Sequence, residues 1–328
     1  MIVSFIAFSE QGFNLAQKIA KQFPGDVTRG KNIDLNVWVA SRFKTNDALI
    51  FVGAVGIAVR LIVPFVGSKT TDPAVIVIDE KGQYTIPILS GHLGGANELS
   101  CNIAKSINSK CIITTATDIN NVFAVDEWAR LNNCAIKNPS KIKNVSAKLL
   151  EGKYTKIKSD WVIDGKLPKQ IVLVDPSDDT CDVRITTKQC SCDALEVIPR
   201  IYILGMGCKK GTTKEKIKES FLQFMNENTY EVFSVFKVTS IDLKQKEQGI
   251  KDFCSEFGFE FETFSNTQLN AVAGEFSSSE FVFKTTGVDN VCERSAMCCG
   301  KKLIIKKHSS NGITFALAEK DFKLSWRL

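Results

Sequence analysis

Residues 47–98 constrain the fold of this chain more than any other stretch. Two apolar runs of five residues, 48–52 and 74–78, have the length and composition of buried strands. The stretch closes on residues 90–97, Ser-Gly-His-Leu-Gly-Gly-Ala-Asn, where five of the eight positions hold a small residue. Because small residues let the backbone approach another group closely, we expect this segment to surround a ligand.

Strand patterns alternate with helical patterns along the chain. Residues 2–8 form an apolar run that leads through a turn into a helical pattern, and residues 201–204 begin the same succession again. Helices are also predicted over 96–107 and 291–299, a strand pair over 74–89 and a further strand over 111–118. A chain of 328 residues is longer than a domain with a single hydrophobic core usually is. We therefore predict a multi-domain α/β protein, with an N-terminal α/β domain at 1–122, a smaller α/β middle domain at 123–199 and a C-terminal α/β domain at 200–328.

The charge balance is mildly basic, with 42 Lys and Arg against 36 Asp and Glu and a formal net charge of +6. This excess favours an anionic small molecule and does not require nucleic acid. Apolar runs stay below the roughly 20 residues that span a bilayer, and residues 1–12 lack a signal-peptide pattern. Eleven scattered cysteines read as free thiols. We expect a soluble, cytoplasmic protein without a membrane partner.

His92 is the residue that we single out as functional, since it is one of only two histidines in the chain. It lies in the glycine-rich segment and not on an apolar face, and imidazole titrates near neutral pH, which suits general acid–base chemistry. Ser90 is the weaker candidate nucleophile, because Ser-Gly-His differs from the GxSxG pattern of hydrolases. A buried structural histidine is the ordinary alternative for His92.

Further candidates stand at the ends of predicted strands, where α/β proteins place their ligand contacts. These positions are Lys69, Asp72, Thr115 and Asp118, together with Asn97 and Glu98 at the start of the next helix. Arg60 is added because a guanidinium in an otherwise apolar helix needs a carboxylate, a helix end or solvent. A surface ion pair is the ordinary alternative for Arg60, and a solvated carboxylate is the alternative for Asp72 and Glu98.

A second glycine-rich segment, Gly-Met-Gly-Cys-Lys-Lys-Gly at 205–211, follows the strand pattern at 201–204. We interpret it as a glycine turn whose lysines, Lys209 and Lys210, form an anion-binding corner. In contrast, Asp126 and Glu127 open a predicted helix, where carboxylates suit the helix dipole and need no catalytic explanation.

The motifs together resemble a known family. The stretch DALIFVGAVGIAVRLIVPFVGSKTTDPAVIVIDEKGQYTIPILSGHLGGANE, with CIITTATD after it, looks like the N-terminal domain of the cobalt-precorrin-5A hydrolases (CbiG) of anaerobic cobalamin biosynthesis. The segments ILGMGCKKGTTKEKI, VTSIDLKQKE and TTGVDNVCERSAM resemble that family's C-terminal domain. One departure is the pair of asparagines at 120–121, where the family pattern has a glycine.

The resemblance implies a hydrolase that opens the δ-lactone of cobalt-precorrin-5A and expels acetaldehyde, giving cobalt-precorrin-5B. It implies catalytic roles for His92, Asp72 and Glu98, with the amides of residues 94–96 holding the oxyanion. The substrate-binding residues that it implies are Arg60, Lys69, Ser90, Gly91, Gly94, Gly95, Asn97, Thr115, Asp118, Lys209 and Lys210. Cobalt arrives inside the anionic corrinoid substrate, so no separate cofactor or protein metal site is expected. Neighbouring enzymes of the pathway are expected partners.

Two other functions stay open on the sequence. A corrinoid carrier without chemistry would use the same cations and glycines, but it would tolerate the loss of His92. An α/β nucleotide-binding enzyme would use the glycine turns at Gly53 or Gly205, although neither has the full GxGxxG spacing.

Overall fold

A computed structural model describes residues 1–68, 71–175 and 180–326. The N-terminal unit is built on a six-stranded sheet of order β2-β1-β3-β4-β5-β6. Its strands are β1 (Val3–Ala7), β2 (Asp26–Arg29), β3 (Ala48–Val52), β4 (Ala74–Ile78), β5 (Tyr84–Leu89) and β6 (Lys110–Cys111). Its helices are α1 (Glu10–Ala20), α2 (Leu35–Phe43), α3 (Val55–Ile62), α4 (Ala96–Ile107) and α5 (Ala116–Ile119).

The apolar runs that the sequence identifies form the centre of this sheet. Strands β1, β3 and β4 are parallel neighbours, and every residue of β3 and β4 is buried. The predicted strand pair at 74–89 is confirmed, since β4 and β5 are antiparallel. The prediction of a strand over 111–118 is wrong, because β6 ends at Cys111 and α5 follows. Asn121 has a φ of 50°, a left-handed conformation that asparagine tolerates where the family pattern has glycine.

The middle unit has a five-stranded sheet of order β10-β8-β11-β12-β7. Its elements are α6 (Val125–Leu131), β7 (Cys134–Ile136), α7 (Ile142–Leu150), β8 (Thr155–Ser159), β9 (Ile163–Asp164), β10 (Ile171–Leu173), β11 (Val183–Ile185) and β12 (Leu195–Pro199). Strand β9 lies outside this sheet. The core contains Trp128 of α6, which is completely buried.

The C-terminal unit has a five-stranded sheet of order β15-β14-β13-β17-β16. Its strands are β13 (Tyr202–Cys208), β14 (Val235–Ile241), β15 (Glu260–Phe264), β16 (Lys302–Ser310) and β17 (Ile313–Glu319). Its helices are α8 (Lys214–Glu227), α9 (Gln248–Phe257), α10 (Asn266–Asn270), α11 (Glu280–Thr286) and α12 (Val291–Cys299). Short 3-10 helices occur at Val63–Phe65, Pro139–Lys141, Val232–Ser234 and Asp242–Lys244. Three mixed sheets with flanking helices make this a multi-domain α/β protein, as predicted.

The predicted glycine turn at Gly205 is wrong. Gly205 and Gly207 lie inside β13, which continues to Cys208, and the turn begins only at Lys209. Gly205 is required by packing, because a Cβ there would overlap the carbonyl oxygen of Cys292 on α12 and lie 2.9 Å from the Ala296 Cβ. The nucleotide-binding alternative therefore loses its glycine turn at Gly205.

The chain returns to the middle unit after the C-terminal sheet. Strand β18 (Leu324–Ser325) pairs with β9, and Trp326 stacks on Trp128 with ring centroids 5.4 Å apart. Trp128 Nε1 donates a hydrogen bond of 2.7 Å to the Ser325 carbonyl oxygen. Residues that follow the C-terminal sheet therefore complete the core of the middle unit, which holds α6 in place. The described part of the chain contains no helix that is long and apolar enough to cross a membrane.

Candidate functional site

The glycine-rich segment 90–97 forms a tight loop after β5 and the first two residues of α4. Ser90 has a φ of 57°, and its hydroxyl donates a hydrogen bond of 2.9 Å to the Asp72 carbonyl oxygen. Gly94 lies against Ser90, so that a Cβ at Gly94 would overlap the Ser90 Cβ and lie 2.9 Å from the Ser90 carbonyl oxygen. The small residues therefore allow the loop to fold back on itself, with His92 at its turn.

Three of the loop amides are used within the loop. Gly95 donates to the His92 carbonyl at 3.0 Å, Ala96 to the Ser90 carbonyl at 3.1 Å and Asn97 to the Gly91 carbonyl at 3.0 Å. Of the three amides at 94–96 that the resemblance assigns to an oxyanion, two are therefore occupied. The described hydrogen bonds do not include one from the Gly94 amide, so this is the amide of the three that can still donate to a ligand.

His92 lies between two carboxylates that come from different units. Its Nε2 is 2.9 Å from Asp118 Oδ2 on α5, and its Nδ1 is 3.2 Å from Asp126 Oδ1 on α6. The His92 side chain is 10% exposed and that of Asp126 is 8% exposed, whereas Asp118 keeps 28%. Because Asp118 is the more exposed partner, Nε2 is the ring nitrogen that a ligand can reach most directly.

The two carboxylates keep His92 positively charged at neutral pH. Burial alone lowers the pKa of an imidazole, but the hydrogen bonds and charges of Asp126 and Asp118 outweigh it and raise the pKa of His92 to about 9. Both ring nitrogens then donate hydrogen bonds. This charged state differs from the neutral imidazole that a general base requires.

Asn97 and Thr115 fix the position of Asp118. The Asn97 side-chain amide donates hydrogen bonds of 3.0 Å to both Asp118 Oδ2 and Thr115 Oγ1, and Asn97 is buried. Gly91 makes room for that amide, since a Cβ at Gly91 would lie 2.7 Å from Asn97 Oδ1. The structure thus brings together five of the residues that the sequence selects: His92, Gly91, Asn97, Thr115 and Asp118.

Glu98 forms an ion pair at the edge of the same cluster. Its carboxylate accepts a hydrogen bond of 2.6 Å from Arg130 Nη2 on α6. The Arg130 side chain also packs on Gly95, whose φ of 76° is a left-handed conformation that favours glycine. Leu93 from the loop packs against the core of the middle unit. The loop therefore joins the two units through an apolar contact and two charged contacts.

Glu127 completes a group that could hold a cation. Ligand atoms of His92, Asp118 and Glu127 all lie within 4.8 Å of one another. Burial is the main cause that raises the pKa of Glu127, to which the charges of Asp118 and Asp126 add, while His92 and Arg130 oppose the rise. One histidine and two carboxylates are suitable donors for a divalent metal ion. A metal would have to replace the proton on His92 Nε2.

The remaining predicted residues are Asp72 and the four cations, and the described contacts do not bring them to His92. Asp72 accepts a hydrogen bond of 3.0 Å from the Gly67 amide, so its carboxylate closes its own loop. Arg60 is exposed, and among the described residues it donates a hydrogen bond only to the Gly56 carbonyl, at 3.5 Å. Lys69 lies outside the described residues. Lys209 and Lys210 are exposed in the C-terminal unit, and the described contacts do not connect them to His92.

Sequence reasoning missed the contribution of α6. Asp126 and Glu127 were assigned to an ordinary helix start and Arg130 was not considered, but Asp126 contacts His92, Glu127 lies close to it and Arg130 pairs with Glu98 beside the loop. The available signal was Asp126 itself, an acid between Val125 and Trp128 on the apolar side of a short helix. A buried acid needs a partner. Partners outside the helix were therefore to be expected.

Three family models match consecutive parts of the chain. They are described as cobalamin synthesis G N-terminal, cobalamin biosynthesis central region and cobalamin synthesis G C-terminus, and they match residues 37–118, 123–194 and 202–318. The models follow the three units of the fold in the same order.

Three relatives are similar along most of the chain. The cobalt-precorrin-5A hydrolase of Priestia megaterium is 28% identical over 96% of this chain and 87% of its own length. A probable cobalt-precorrin-5A hydrolase of Methanocaldococcus jannaschii is 27% identical over 97% of this chain and 99% of its own. The cobalt-precorrin-5A hydrolase of Salmonella typhimurium is 30% identical over 84% of this chain and 82% of its own. The chain therefore belongs to the cobalt-precorrin-5A hydrolase (CbiG) family.

Proposed function

We propose that this protein hydrolyses cobalt-precorrin-5A, opening its δ-lactone and releasing acetaldehyde to give cobalt-precorrin-5B. Relatives with that name cover most of the chain at 27–30% identity. The observation that carries the proposal is the His92 centre, in which one imidazolium is held by carboxylates from two units. It supports an enzyme because a buried histidine whose pKa is strongly shifted by two specific carboxylates is typical of functional sites.

His92 acts in this proposal as a cation and not as the predicted base. Water attacks the lactone carbonyl, and negative charge develops on the carbonyl oxygen. An imidazolium near that oxygen stabilises the charge, as donors of an oxyanion hole do. We place the oxygen near Nε2, where it would displace the partly exposed Asp118, and near the Gly94 amide.

Substrate binding is part of the same proposal. The substrate is a large ring with acetate and propionate groups, so it needs cations and amides around a wide cleft. Arg60, Lys209 and Lys210 are exposed cations with room for such groups. Cobalt would enter as part of the substrate, and no separate cofactor is needed. We also propose that the protein works in the cytoplasm beside neighbouring enzymes of cobalamin biosynthesis.

The test is acetaldehyde release from cobalt-precorrin-5A under anaerobic conditions. We expect His92→Ala to bind the substrate but to release acetaldehyde at least about 100-fold more slowly than the unaltered protein. The matched control is His308→Ala, because His308 is the other histidine and is 39% exposed on β16. If the unaltered protein binds the substrate and releases no acetaldehyde, the hydrolase proposal fails and a corrinoid carrier takes its place.

A further inference from the structure

We propose that Arg130 receives a carboxylate of the corrinoid substrate beside the lactone and so helps to orient the ring at the His92 centre. This inference rests on the proposed function and deepens it, because it names a substrate-binding residue that the sequence did not indicate. Arg130 lies on α6 in the middle unit, and its guanidinium reaches the glycine-rich loop of the N-terminal unit.

Arg130 belongs to the side of α6 that carries the His92 centre. It follows Asp126 by four positions and Glu127 by three, and these spacings bring side chains onto one side of a helix. Asp126 Oδ1 is 3.2 Å from His92 Nδ1, and Glu127 has a carboxylate oxygen within 4.8 Å of a ring nitrogen of His92. The guanidinium therefore places a second positive charge close to the imidazolium.

The Arg130 guanidinium uses only part of its hydrogen-bonding capacity. In the described part of the chain it donates one hydrogen bond, of 2.6 Å, from Nη2 to Glu98 Oε2. Its Nε is buried and lacks a hydrogen-bond partner among the same residues. Its Nη1, which likewise has no described hydrogen bond, lies over Gly95, 3.5 Å from the position that a Cβ would take. Because unpaired buried donors are costly, a ligand that supplies acceptors is favoured here.

Another unpaired donor lies next to Arg130 in the loop. The described hydrogen bonds include none from the Gly94 amide, whereas the Gly95 amide donates to the His92 carbonyl oxygen. In the proposed function the lactone oxygen lies near His92 Nε2 and the Gly94 amide. Consecutive Cα atoms are about 3.8 Å apart, so a group held by Arg130 over Gly95 would be a close neighbour of the lactone.

The chemistry of the guanidinium selects a carboxylate as its ligand. Its N–H groups lie in one plane and match the two oxygens of a carboxylate, and the charges are opposite. The substrate of the proposed function carries acetate and propionate groups around its ring. The Glu98 side chain that pairs with Nη2 is 48% exposed, so it can shift when a second carboxylate arrives. Arg60, Lys209 and Lys210 would then serve carboxylates farther from the lactone.

The test compares Arg130→Gln and Arg130→Lys with Arg42→Gln as the matched control. Arg42 and Asp26 form an ion pair in which the side chains are 30% and 48% exposed, against 27% and 48% for Arg130 and Glu98. We expect Arg130→Gln to raise KM at least about 10-fold with little change in kcat, because a charge-assisted contact with bound substrate is lost. Arg130→Lys keeps the charge and should recover part of this loss. Arg42→Gln should change neither constant, and circular dichroism checks folding.

Glu98→Gln separates substrate binding from a purely structural role of Arg130. This variant breaks the same ion pair between the two units but leaves the guanidinium in place, so we expect it to raise KM much less than Arg130→Gln. If both variants raise KM equally, Arg130 acts only through the ion pair and is not a substrate ligand. A fall in kcat at unchanged KM in Arg130→Gln would also overturn the proposal, since the guanidinium would then act in the transition state alone.

A visible-absorbance titration with the corrinoid distinguishes failure of this proposal from failure of the proposed function. It gives Kd without turnover, because the cobalt corrinoid itself absorbs visible light. If the unaltered protein binds the corrinoid but releases no acetaldehyde, the hydrolase function fails. The role of Arg130 is then supported by a Kd at least about 10-fold weaker in Arg130→Gln and overturned by an equal Kd. If the unaltered protein is active and Arg130→Gln has the same KM, only the role of Arg130 fails. An unaltered protein that does not bind the corrinoid overturns both.

Discussion

Two glycine-rich segments look alike in the sequence but differ in what their glycines do. In residues 90–97, the glycines let the backbone wrap around a polar cluster, with His92 in contact with carboxylates of two units. In residues 205–211, the first two glycines lie inside β13, where Gly205 makes room for α12 and Gly207 for the Thr314 side chain of β17, and the lysines after them are exposed. A glycine thus marks a position where a neighbouring group comes close to the backbone. Whether that group is a polar cluster or a packed helix decides whether the glycine belongs to a functional site or to the core.

The largest effect that we predict comes from the second segment. Gly205→Ala should lower the free energy of unfolding of the C-terminal unit by about 4 kcal/mol or more, because the new Cβ would overlap the Cys292 carbonyl. Gly211→Ala, in the same motif, meets no atom within 4 Å but has a φ of 75°, so about 1 kcal/mol is expected. Urea unfolding followed by far-UV circular dichroism measures both. Equal costs would contradict the contrast between strand and turn.

A pH effect should distinguish the first segment. The pKa of His92 is raised from 6.5 to about 9, so the stabilisation from its charged form is fully present below pH 6.5 and is lost as the pH rises through 9. The loss amounts to about 3 kcal/mol, since one pKa unit corresponds to 1.36 kcal/mol. Unfolding free energies of the unaltered protein and of His92→Gln, measured between pH 6 and 9.5, isolate the effect as their difference.

Asp126→Asn provides the internal check on that result. The amide keeps the size of the side chain but removes the charge that raises the pKa of His92 most. The titration of His92 by NMR should then move to lower pH, and His308→Ala identifies its signal. An unchanged midpoint would mean that Asp126 is not the partner that keeps His92 charged.

The smallest effect is expected from the exposed lysines of the second segment. The double variant Lys209→Ala, Lys210→Ala should raise KM for the corrinoid about 2- to 10-fold and leave kcat and stability nearly unchanged, because exposed ion pairs contribute about 1 kcal/mol or less each. Steady-state kinetics at low ionic strength gives the most sensitive measurement. A KM equal to that of the unaltered protein would remove these lysines from the substrate site.

The sequence predicts the regular elements well and the long-range contacts only in part. The helices at 96–107 and 291–299 are confirmed with the predicted bounds, because apolar periodicity is a local property. The polar end of the predicted strand at 111–118 led to Thr115 and Asp118, and the helix start led to Asn97; these three residues are hydrogen-bonded together, and Asp118 contacts His92. Asp126 and Glu127 were missed, since an acid at a helix start already has a local explanation and its distant partner leaves no mark nearby.

The pairing of β18 with β9, described above, also sets an order of assembly. Trp128 and Ser325 are 197 positions apart, yet the hydrogen bond between them and the stacking of Trp326 complete the core around α6. During synthesis, a ribosome that has reached Glu319 has produced the whole C-terminal sheet but not the residues that close the middle unit. The helix that carries Asp126 and Glu127 therefore reaches its final environment late, so the His92 centre should form after the two outer sheets have folded.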